Sequence, residues 1–177
     1  LYPRKTTDAF ITTMLRSRQG RDLSGFVLRD IRRMSLEEVA SHSAAEADKL
    51  RKGEDQDMAS VQRKTGKLPA ILLRPLLAVQ EFIGYTLNLD PGFLGAPKDR
   101  FGSFMISNIG ALGLERGLIP LSPYCRCPII LGLGKPREDV VVRDGEIRVE
   151  QVATISMTFD HRFADGAQGA LVMRRLQ

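Results

Sequence analysis

Two histidines, His42 and His161, are the candidates for proton transfer in this chain, because imidazole is the side chain whose ordinary pKa, about 6.5, lies near neutral pH. His42 lies between serines in a stretch with helical spacing, and glutamates lie one turn away on either side. We expect His42 to be a surface histidine.

His161 has a different setting, because it closely follows an apolar stretch that predicts a strand. Asp160 and Arg162 flank it, and Gly166 soon afterwards permits an unusual backbone turn. Loops at the ends of strands commonly present functional groups on a rigid scaffold. On these residues alone, a general base and a hydrogen-bonded structural histidine both remain open.

The chain has two cysteines, Cys125 and Cys127. In a strand they would be two rises apart, about 6.5 Å, which is at the far limit for a disulfide. Two cysteines are also too few for a closed zinc site. We expect reduced structural thiols, as in a cytoplasmic protein, and no metal site.

The overall composition, with 177 residues of which 43% are hydrophobic, is typical of a globular domain with a sizeable core. A formal charge of +5 could attract nucleic acid or a phosphorylated cofactor. The basic residues are scattered, however, and no aromatic residues interleave with them to form a stacking surface. We therefore expect no nucleic-acid partner.

The first half of the chain predicts two strands and a helix. Residues 8–15 are rich in β-branched and apolar side chains, and residues 25–28 indicate a second, short strand. Ser35 and Glu38 form a capping-box pattern, in which each side chain satisfies a backbone donor at a helix start. Apolar residues then recur at helical spacing, which predicts a helix over residues 35–52.

Residues 68–89 are the most apolar stretch of the chain. Arg74, Gln80 and Glu81 interrupt it and Pro75 is expected to kink it, which argues against a membrane span. We expect a pair of helices packed against a core or a subunit interface. A helix lying on a membrane surface and the wall of a hydrophobic pocket are the alternatives, and membrane contact is not expected.

The second half of the chain predicts a sheet. Residues 91–97 indicate a loop, 103–107 and 128–134 indicate strands, and 139–143 and 146–150 flank Asp144-Gly145, a dipeptide suited to a two-residue hairpin. Residues 152–159 predict a last strand and 167–176 a helix. Helices early and hairpins late indicate an α/β or α+β fold with a mixed sheet.

Two sequence blocks resemble one known family, the acyltransferase subunits of 2-oxo acid dehydrogenase complexes. Residues 160–166 match that family's Asp-His-Arg-x-x-Asp-Gly signature, and residues 101–110 resemble its Gly-x-Phe-x-Ile-Ser-Asn-x-Gly stretch. Residues 119–120, 129–134 and 140–147 match further. The resemblance implies the chloramphenicol acetyltransferase-like fold, a two-layer sandwich of a mixed sheet with helices packed on it.

The resemblance also implies roles for three residues. His161 matches the general base that takes the proton from the thiol of coenzyme A or of dihydrolipoamide. Ser107 matches the hydroxyl that donates a hydrogen bond to the oxyanion of the tetrahedral intermediate. Asp165 matches an acid thought to hold the imidazole loop through an ion pair, for which Arg162 or another arginine could serve.

Coenzyme A is the implied substrate, with a lipoyl group carried on another domain or protein as the acyl carrier. The resemblance implies a homotrimer or a higher assembly of trimers, in which serine and histidine meet across a subunit boundary. A different class of function is also open, namely a non-catalytic trimeric scaffold or partner-binding module of a dehydrogenase complex. A third hypothesis is that the apolar stretch 68–89 binds lipid or a long acyl chain.

For the domain organisation, we expect residues 1–177 to form a single acyltransferase catalytic domain. It lacks the family's first helix and strand, and neither a lipoyl nor a peripheral-subunit-binding domain is visible in it. Residues 58–100 are longer and more apolar than the corresponding link of the complex-forming subunits, and resemble those of stand-alone bacterial members. No signal peptide is recognised, and we expect a cytoplasmic protein.

Overall fold

The computed structural model describes residues 4–17, 20–53, 69–90, 99–123 and 125–176. Its first elements are two strands, β1 (Ala9–Ser17) and β2 (Gly20–Leu28), which pair antiparallel along their whole length. Both predicted strands are confirmed, and β2 begins five residues before the expected start at Gly25. Antiparallel pairing with β1 extends the strand beyond the residues that the apolar pattern indicated.

In the described residues, the main sheet has five strands. Strands β3 (Phe104–Asn108) and β4 (Ile129–Leu133) run parallel to β1, whereas β7 (Ile155–Phe159) is antiparallel to β4. The order across the sheet is β2-β1-β3-β4-β7. The predicted mixed sheet is therefore confirmed. Because the carboxyl ends of β1, β3 and β4 lie at the same edge, β7 ends at the opposite edge.

Helix α1 (Leu36–Arg51) packs on the β1–β2 end of the sheet. The capping box forms as predicted, with Ser35 Oγ accepting from the Glu38 amide at 3.2 Å and Glu38 Oε2 accepting from the Ser35 amide at 2.7 Å. Phe26, Leu28 and Leu50 form the buried cluster beneath the helix. His42 lies on the exposed side of α1, as expected.

The apolar stretch forms helix α2 (Ala70–Glu81), which continues directly into a wider helical turn at Phe82–Thr86. The predicted pair of helices is thus wrong for the described residues 69–90, in which residues 70–86 form one helical segment with Pro75 inside it. A proline there removes one backbone hydrogen bond, but the surrounding leucine and alanine residues are strong helix formers and carry the helix across it.

Among the residues that the structure describes, several apolar side chains of α2 are exposed. Ile71 is 81% exposed and Val79 is 50% exposed. In the parts of the chain that the structure describes, no helix has the length and apolar character to cross a membrane. The predicted loop at 91–97, and residues 58–68 and 91–98 of the predicted 58–100 insertion, lie outside the described residues.

A separate two-stranded ribbon consists of β5 (Arg137–Arg143) and β6 (Glu146–Val152). Asp144 and Gly145 have φ angles of 54° and 81°, as the predicted two-residue turn requires. One face of the ribbon carries four exposed apolar side chains, Val140, Val142, Ile147 and Val149. An isolated hairpin is marginally stable in water. We therefore expect another protein surface to pack against this apolar face.

The last strand and helix follow the ribbon. Residue 152 was expected to start the final strand, but Val152 instead pairs with Arg137 in the ribbon, and β7 begins at Ile155. The chain changes sheets at Thr154, whose carbonyl accepts from the Gly134 amide at 2.9 Å. Helix α3 (Gly166–Leu176) confirms the predicted C-terminal helix.

Candidate functional site

Ser107 lies near the carboxyl end of β3 and is 8% exposed. The parallel register of β1 and β3 pairs Ile11 with Ile106, so that Thr12 and Ser107 lie side by side on the same face of the sheet. Thr12 Oγ1 donates a hydrogen bond to Ser107 Oγ at 3.1 Å. On its other side Ser107 pairs with Gly132, which carries no side chain.

The backbone around Ser107 is held at both ends by glycines that lie against other chain segments. Gly102, with φ +64°, lies so close to the Asp8 carbonyl that a Cβ would be 2.7 Å from its oxygen. At Gly110, a Cβ would be 2.6 Å from the amide nitrogen of Lys135. These close approaches explain why glycine occupies both positions of the 101–110 block.

His161 lies in the turn after β7, and its side chain is exposed. Its imidazole stacks on Phe159, with ring centroids 6.0 Å apart and an interplanar angle of 28°. The turn is anchored by backbone hydrogen bonds from Asp160 N to Pro128 O at 2.8 Å and from Phe163 N to Asp160 O at 3.0 Å. The imidazole is therefore accessible, while the backbone that carries it is fixed.

Asp160 and Arg162, on either side of His161, form an ion pair. Arg162 Nη2 lies 2.6 Å from Asp160 Oδ2, and Arg162 Nε lies 3.0 Å from each carboxylate oxygen. The hydrogen bonds from the Arg162 side chain and amide hold the pKa of Asp160 below its ordinary value. The pair closes the turn beneath His161.

Asp165, the third predicted site residue, lies at the start of α3. It is exposed and precedes α3, where Asp165 Oδ1 accepts from the Gln168 amide at 3.0 Å and Gln168 Oε1 accepts from the Asp165 amide at 2.9 Å. The expected ion pair with Arg162 is not formed, because Arg162 is held by Asp160. Asp165 caps a helix instead, and this cap ties the start of α3 to the His161 turn.

A single chain does not bring Ser107 and His161 together. Ser107 pairs with Gly132 on β4, and Gly132 pairs with Ser156 on β7, three residues before Phe159. At about 3.3 Å per residue and about 4.8 Å per strand spacing, Phe159 is about 10 Å along the strands and about 10 Å across them from Ser107. The ring of His161 lies beside Phe159 and thus far from the Ser107 hydroxyl.

Sequence reasoning missed three partners of the predicted site residues, namely Thr12, Phe159 and Gln168. Gln168 follows Asp165 by three positions, which is a recognisable capping-box spacing. The contact of Thr12 with Ser107 joins residues 95 positions apart, and it depends on a parallel register that no local pattern specifies. Phe159 had been assigned to the strand, but nothing in the sequence places its ring against the imidazole.

Both cysteines are free thiols. Cys127 is buried, its Sγ lies 2.9 Å from the Phe101 carbonyl oxygen, and burial raises the pKa of its thiol to about 11. Such a thiol remains protonated at neutral pH, which makes Cys127 a structural residue rather than a nucleophile.

Comparison with known protein families identifies the C-terminal half of the chain. Residues 97–177 match the family described as 2-oxoacid dehydrogenases acyltransferase (catalytic domain). A relative in Bacillus subtilis, the dihydrolipoyllysine-residue acetyltransferase component of the pyruvate dehydrogenase complex, is 36% identical over 89 residues, which is 49% of this chain. The corresponding component of Staphylococcus epidermidis is 38% identical over 88 residues. The match spans only 19% of the length of each relative.

Solved structures with the same fold cover nearly the whole chain. A probable dihydrolipoamide acetyltransferase from Listeria monocytogenes superposes with a TM-score of 0.61 over 97% of this chain and 54% of its own, at 15% identity. The cubic core of a pyruvate dehydrogenase multienzyme complex gives 0.62 over 98% and 53%, at 19% identity. Residues 97–177 therefore match the 2-oxoacid dehydrogenase acyltransferase catalytic domain in sequence, and the described chain shares the fold of dihydrolipoamide acetyltransferases, which confirms the family resemblance of the two sequence blocks.

Proposed function

We propose that this protein is an acyltransferase that moves an acyl group between a dihydrolipoamide-type thiol and coenzyme A. The observation that carries the proposal is the accessible imidazole of His161, fixed in a turn within the segment that matches the acyltransferase catalytic domain. Two relatives that match 49% of this chain are named dihydrolipoyllysine-residue acetyltransferase components of the pyruvate dehydrogenase complex, which supports the proposal.

In the proposed reaction, His161 takes the proton from the attacking thiol, and the thiolate sulfur adds to the carbonyl carbon of the acyl thioester. The carbonyl oxygen becomes negatively charged, and the Ser107 hydroxyl donates a hydrogen bond to it. The intermediate collapses when the bond between the carbon and the original sulfur breaks. The departing thiolate then takes the proton back from His161.

Asp165 is proposed to act on His161 through the backbone rather than through charge. In the dihydrolipoamide acetyltransferase of Azotobacter vinelandii, which is 20% identical to this chain, a serine, a histidine and an asparagine have been investigated for roles in the catalytic mechanism. That histidine and asparagine are four positions apart, as are His161 and Asp165. Asparagine and aspartate are both good helix caps, which supports a capping role at this position.

We further propose that two copies of the chain form each site, in a homotrimer or a higher assembly of trimers. The separation of Ser107 from His161 in one chain supports this arrangement. In the proposed reaction, His161 must contact the attacking thiol while Ser107 contacts the oxyanion that the same thiol forms. The exposed apolar faces of α2 and of the β5–β6 ribbon are surfaces that an assembly could cover. The similar solved structure that forms a cubic core supports the same proposal.

We also propose that the chain is a single catalytic domain in which residues 58–100 are an apolar helical insertion that diverges from the family, and the exposed apolar side chains of α2 support this. We propose a cytoplasmic location, which the two free thiols support. An alternative function as a non-catalytic scaffold is favoured by the same exposed apolar faces, and an acetyl-transfer assay distinguishes it from the enzyme.

The test is acetyl transfer from acetyl-coenzyme A to dihydrolipoamide by the wild-type protein and by His161→Ala. We expect the variant to lose about a hundredfold to ten-thousandfold in kcat, because general base catalysis contributes about that much. His42→Ala is the matched control, since His42 is also exposed but lies on α1, and it should retain wild-type activity. Near-wild-type turnover by His161→Ala would refute the proposed base, and an assembled wild-type protein without any turnover would favour the scaffold.

A further inference from the structure

The Thr12 and Ser107 hydroxyls form a buried pair on neighbouring parallel strands. Thr12 is 9% exposed and Ser107 is 8% exposed, and Thr12 Oγ1 lies 3.1 Å from Ser107 Oγ. We propose that Thr12 is a positioning residue, which donates a hydrogen bond to Ser107 Oγ so that the Ser107 proton points to the oxyanion. This inference rests on the proposed acyltransferase function, and it assigns a role to a residue of β1, outside the segment that matches the acyltransferase family.

The proposal follows from the hydrogen-bonding capacity of a hydroxyl, which has one proton to donate and lone pairs to accept. If Ser107 donated its proton to Thr12, it would have none for the oxyanion. When negative charge develops on the carbonyl oxygen, the Ser107 proton turns toward that charge, and Thr12 is then the neighbour that can donate to Ser107 Oγ. Consecutive hydrogen bonds, here from Thr12 to Ser107 and from Ser107 to the oxyanion, polarise and strengthen one another, most of all where water is excluded.

The surroundings of Thr12 fix its position. It lies in the interior of the sheet, paired with Gly25 on β2 and adjacent to β3 on the other side. Its β-branched side chain has restricted χ1 freedom, so a small displacement of its hydroxyl is resisted by both the backbone and the rotamer. Thr13, the next residue, has its side chain on the opposite face of the strand and offers a natural control.

The test compares steady-state kinetics of Thr12→Val, Thr12→Ser and Thr13→Val. Valine keeps the shape of threonine and removes the hydroxyl, and we expect kcat to fall about tenfold, because the hydrogen bond to Ser107 Oγ is lost. KM for both thiol substrates should stay unchanged, because Thr12 touches neither. Thr12→Ser should restore most of kcat, and Thr13→Val should match the wild type.

The decisive comparison places Thr12→Val in a Ser107→Ala background. If Thr12 acts through Ser107, kcat of the double variant should equal that of Ser107→Ala alone. Equal fold losses from Thr12→Val in both backgrounds would overturn the proposal and indicate a general structural effect. Wild-type kcat in Thr12→Val beside a reduced kcat in Ser107→Ala would also overturn it, while leaving the proposed function intact. Wild-type kcat in Ser107→Ala would refute the oxyanion role of Ser107 and the role of Thr12 with it.

Discussion

At the level of single residues, the imidazole of His161 stacks on the ring of Phe159, and Ser107 Oγ accepts a hydrogen bond from Thr12 Oγ1. The motif at residues 160–166 identifies His161 and Asp165, and the block at 101–110 identifies Ser107. Neither block predicts that Arg162 forms its ion pair with Asp160 rather than with Asp165. Both carboxylates are close to Arg162 in the sequence, and only the conformation of the backbone turn decides which of them the guanidinium contacts. The candidate site residues could be proposed from the sequence, whereas the pairing of Arg162 with Asp160 could not be predicted from it.

Substitution of Asp165 distinguishes a helix cap from an ion pair. We expect Asp165→Asn to keep transferase activity within about twofold of the wild type and to leave the free energy of unfolding unchanged, because asparagine caps a helix as well as aspartate does. Asp165→Ala should destabilise the protein by about 1 kcal/mol and lower activity, because it removes the acceptor for the Gln168 amide. Activity assays with thermal unfolding of both variants provide the measurement. Loss of activity in both variants to the same extent would show that the charge, and not the cap, is required.

At the level of elements, the sequence was informative wherever a local pattern determines the outcome. The predicted capping box at Ser35 and the predicted Asp144-Gly145 turn are both confirmed. Each depends only on residues that are a few positions apart in the sequence. The predicted start of the last strand, residue 152, is wrong because an apolar residue such as Val152 fits the end of the ribbon as well as the start of β7. Its pairing with Arg137 places it in the ribbon. The continuity of α2 through Pro75 was missed because a single proline signal outweighed the leucine-rich surroundings.

The cap of α1 can be tested by itself. Ser35→Ala removes the acceptor for the Glu38 amide and should lower the free energy of unfolding by about 1 kcal/mol. Ser43→Ala, in the interior of the same helix, should leave stability unchanged or raise it by about 0.5 kcal/mol, because alanine is the better helix former. Urea unfolding followed by circular dichroism measures both. Equal losses in the two variants would show that the capping box contributes nothing specific.

For the whole molecule, a buried carboxylate connects segments that are far apart in the sequence. Asp8, 5% exposed, accepts from the Asp30 amide at 2.9 Å and from Arg29 Nη1 at 2.8 Å, and its own carbonyl accepts from the Ser103 amide. Burial acts to raise the pKa of Asp8, but the hydrogen bonds from Asp30 and Arg29 outweigh it, and the net pKa is lowered. Asp8 thus joins the start of β1 to the loop after β2 through its carboxylate, and to the turn before β3 through its backbone carbonyl.

The lowered pKa of Asp8 predicts acid sensitivity. A carboxyl whose pKa is lower in the folded than in the unfolded state contributes stability above its unfolded pKa of about 3.9, and this contribution is lost as the pH falls through the folded value. We expect Asp8→Asn to be less stable than the wild type at pH 7, by about 1 to 3 kcal/mol. The difference should narrow as the pH falls below about 4, because the Asp8 carboxyl of the unfolded chain is then protonated while that of the folded protein, with its lower pKa, is still charged. Chemical unfolding from pH 7 to pH 3 measures it, and a constant difference across that range would contradict the role of the charge.

The proposed assembly could not be predicted from sequence spacing. The separation of Ser107 and His161 by 54 positions is compatible with contact or with distance, and the strand register is what places them apart. The exposed apolar faces of α2 and the ribbon likewise depend on which elements pack within the chain. Only the family resemblance indicated that two chains contribute to one site.

Complementation between two inactive variants tests the shared site most directly. Ser107→Ala and His161→Ala, each inactive by itself, would be co-expressed in equal amounts so that mixed assemblies form. If each site takes Ser107 from one chain and His161 from its neighbour, random mixing makes about one quarter of the sites intact, and about one quarter of wild-type acetyl transfer should return. A mixture that is as inactive as the separate variants would contradict the account.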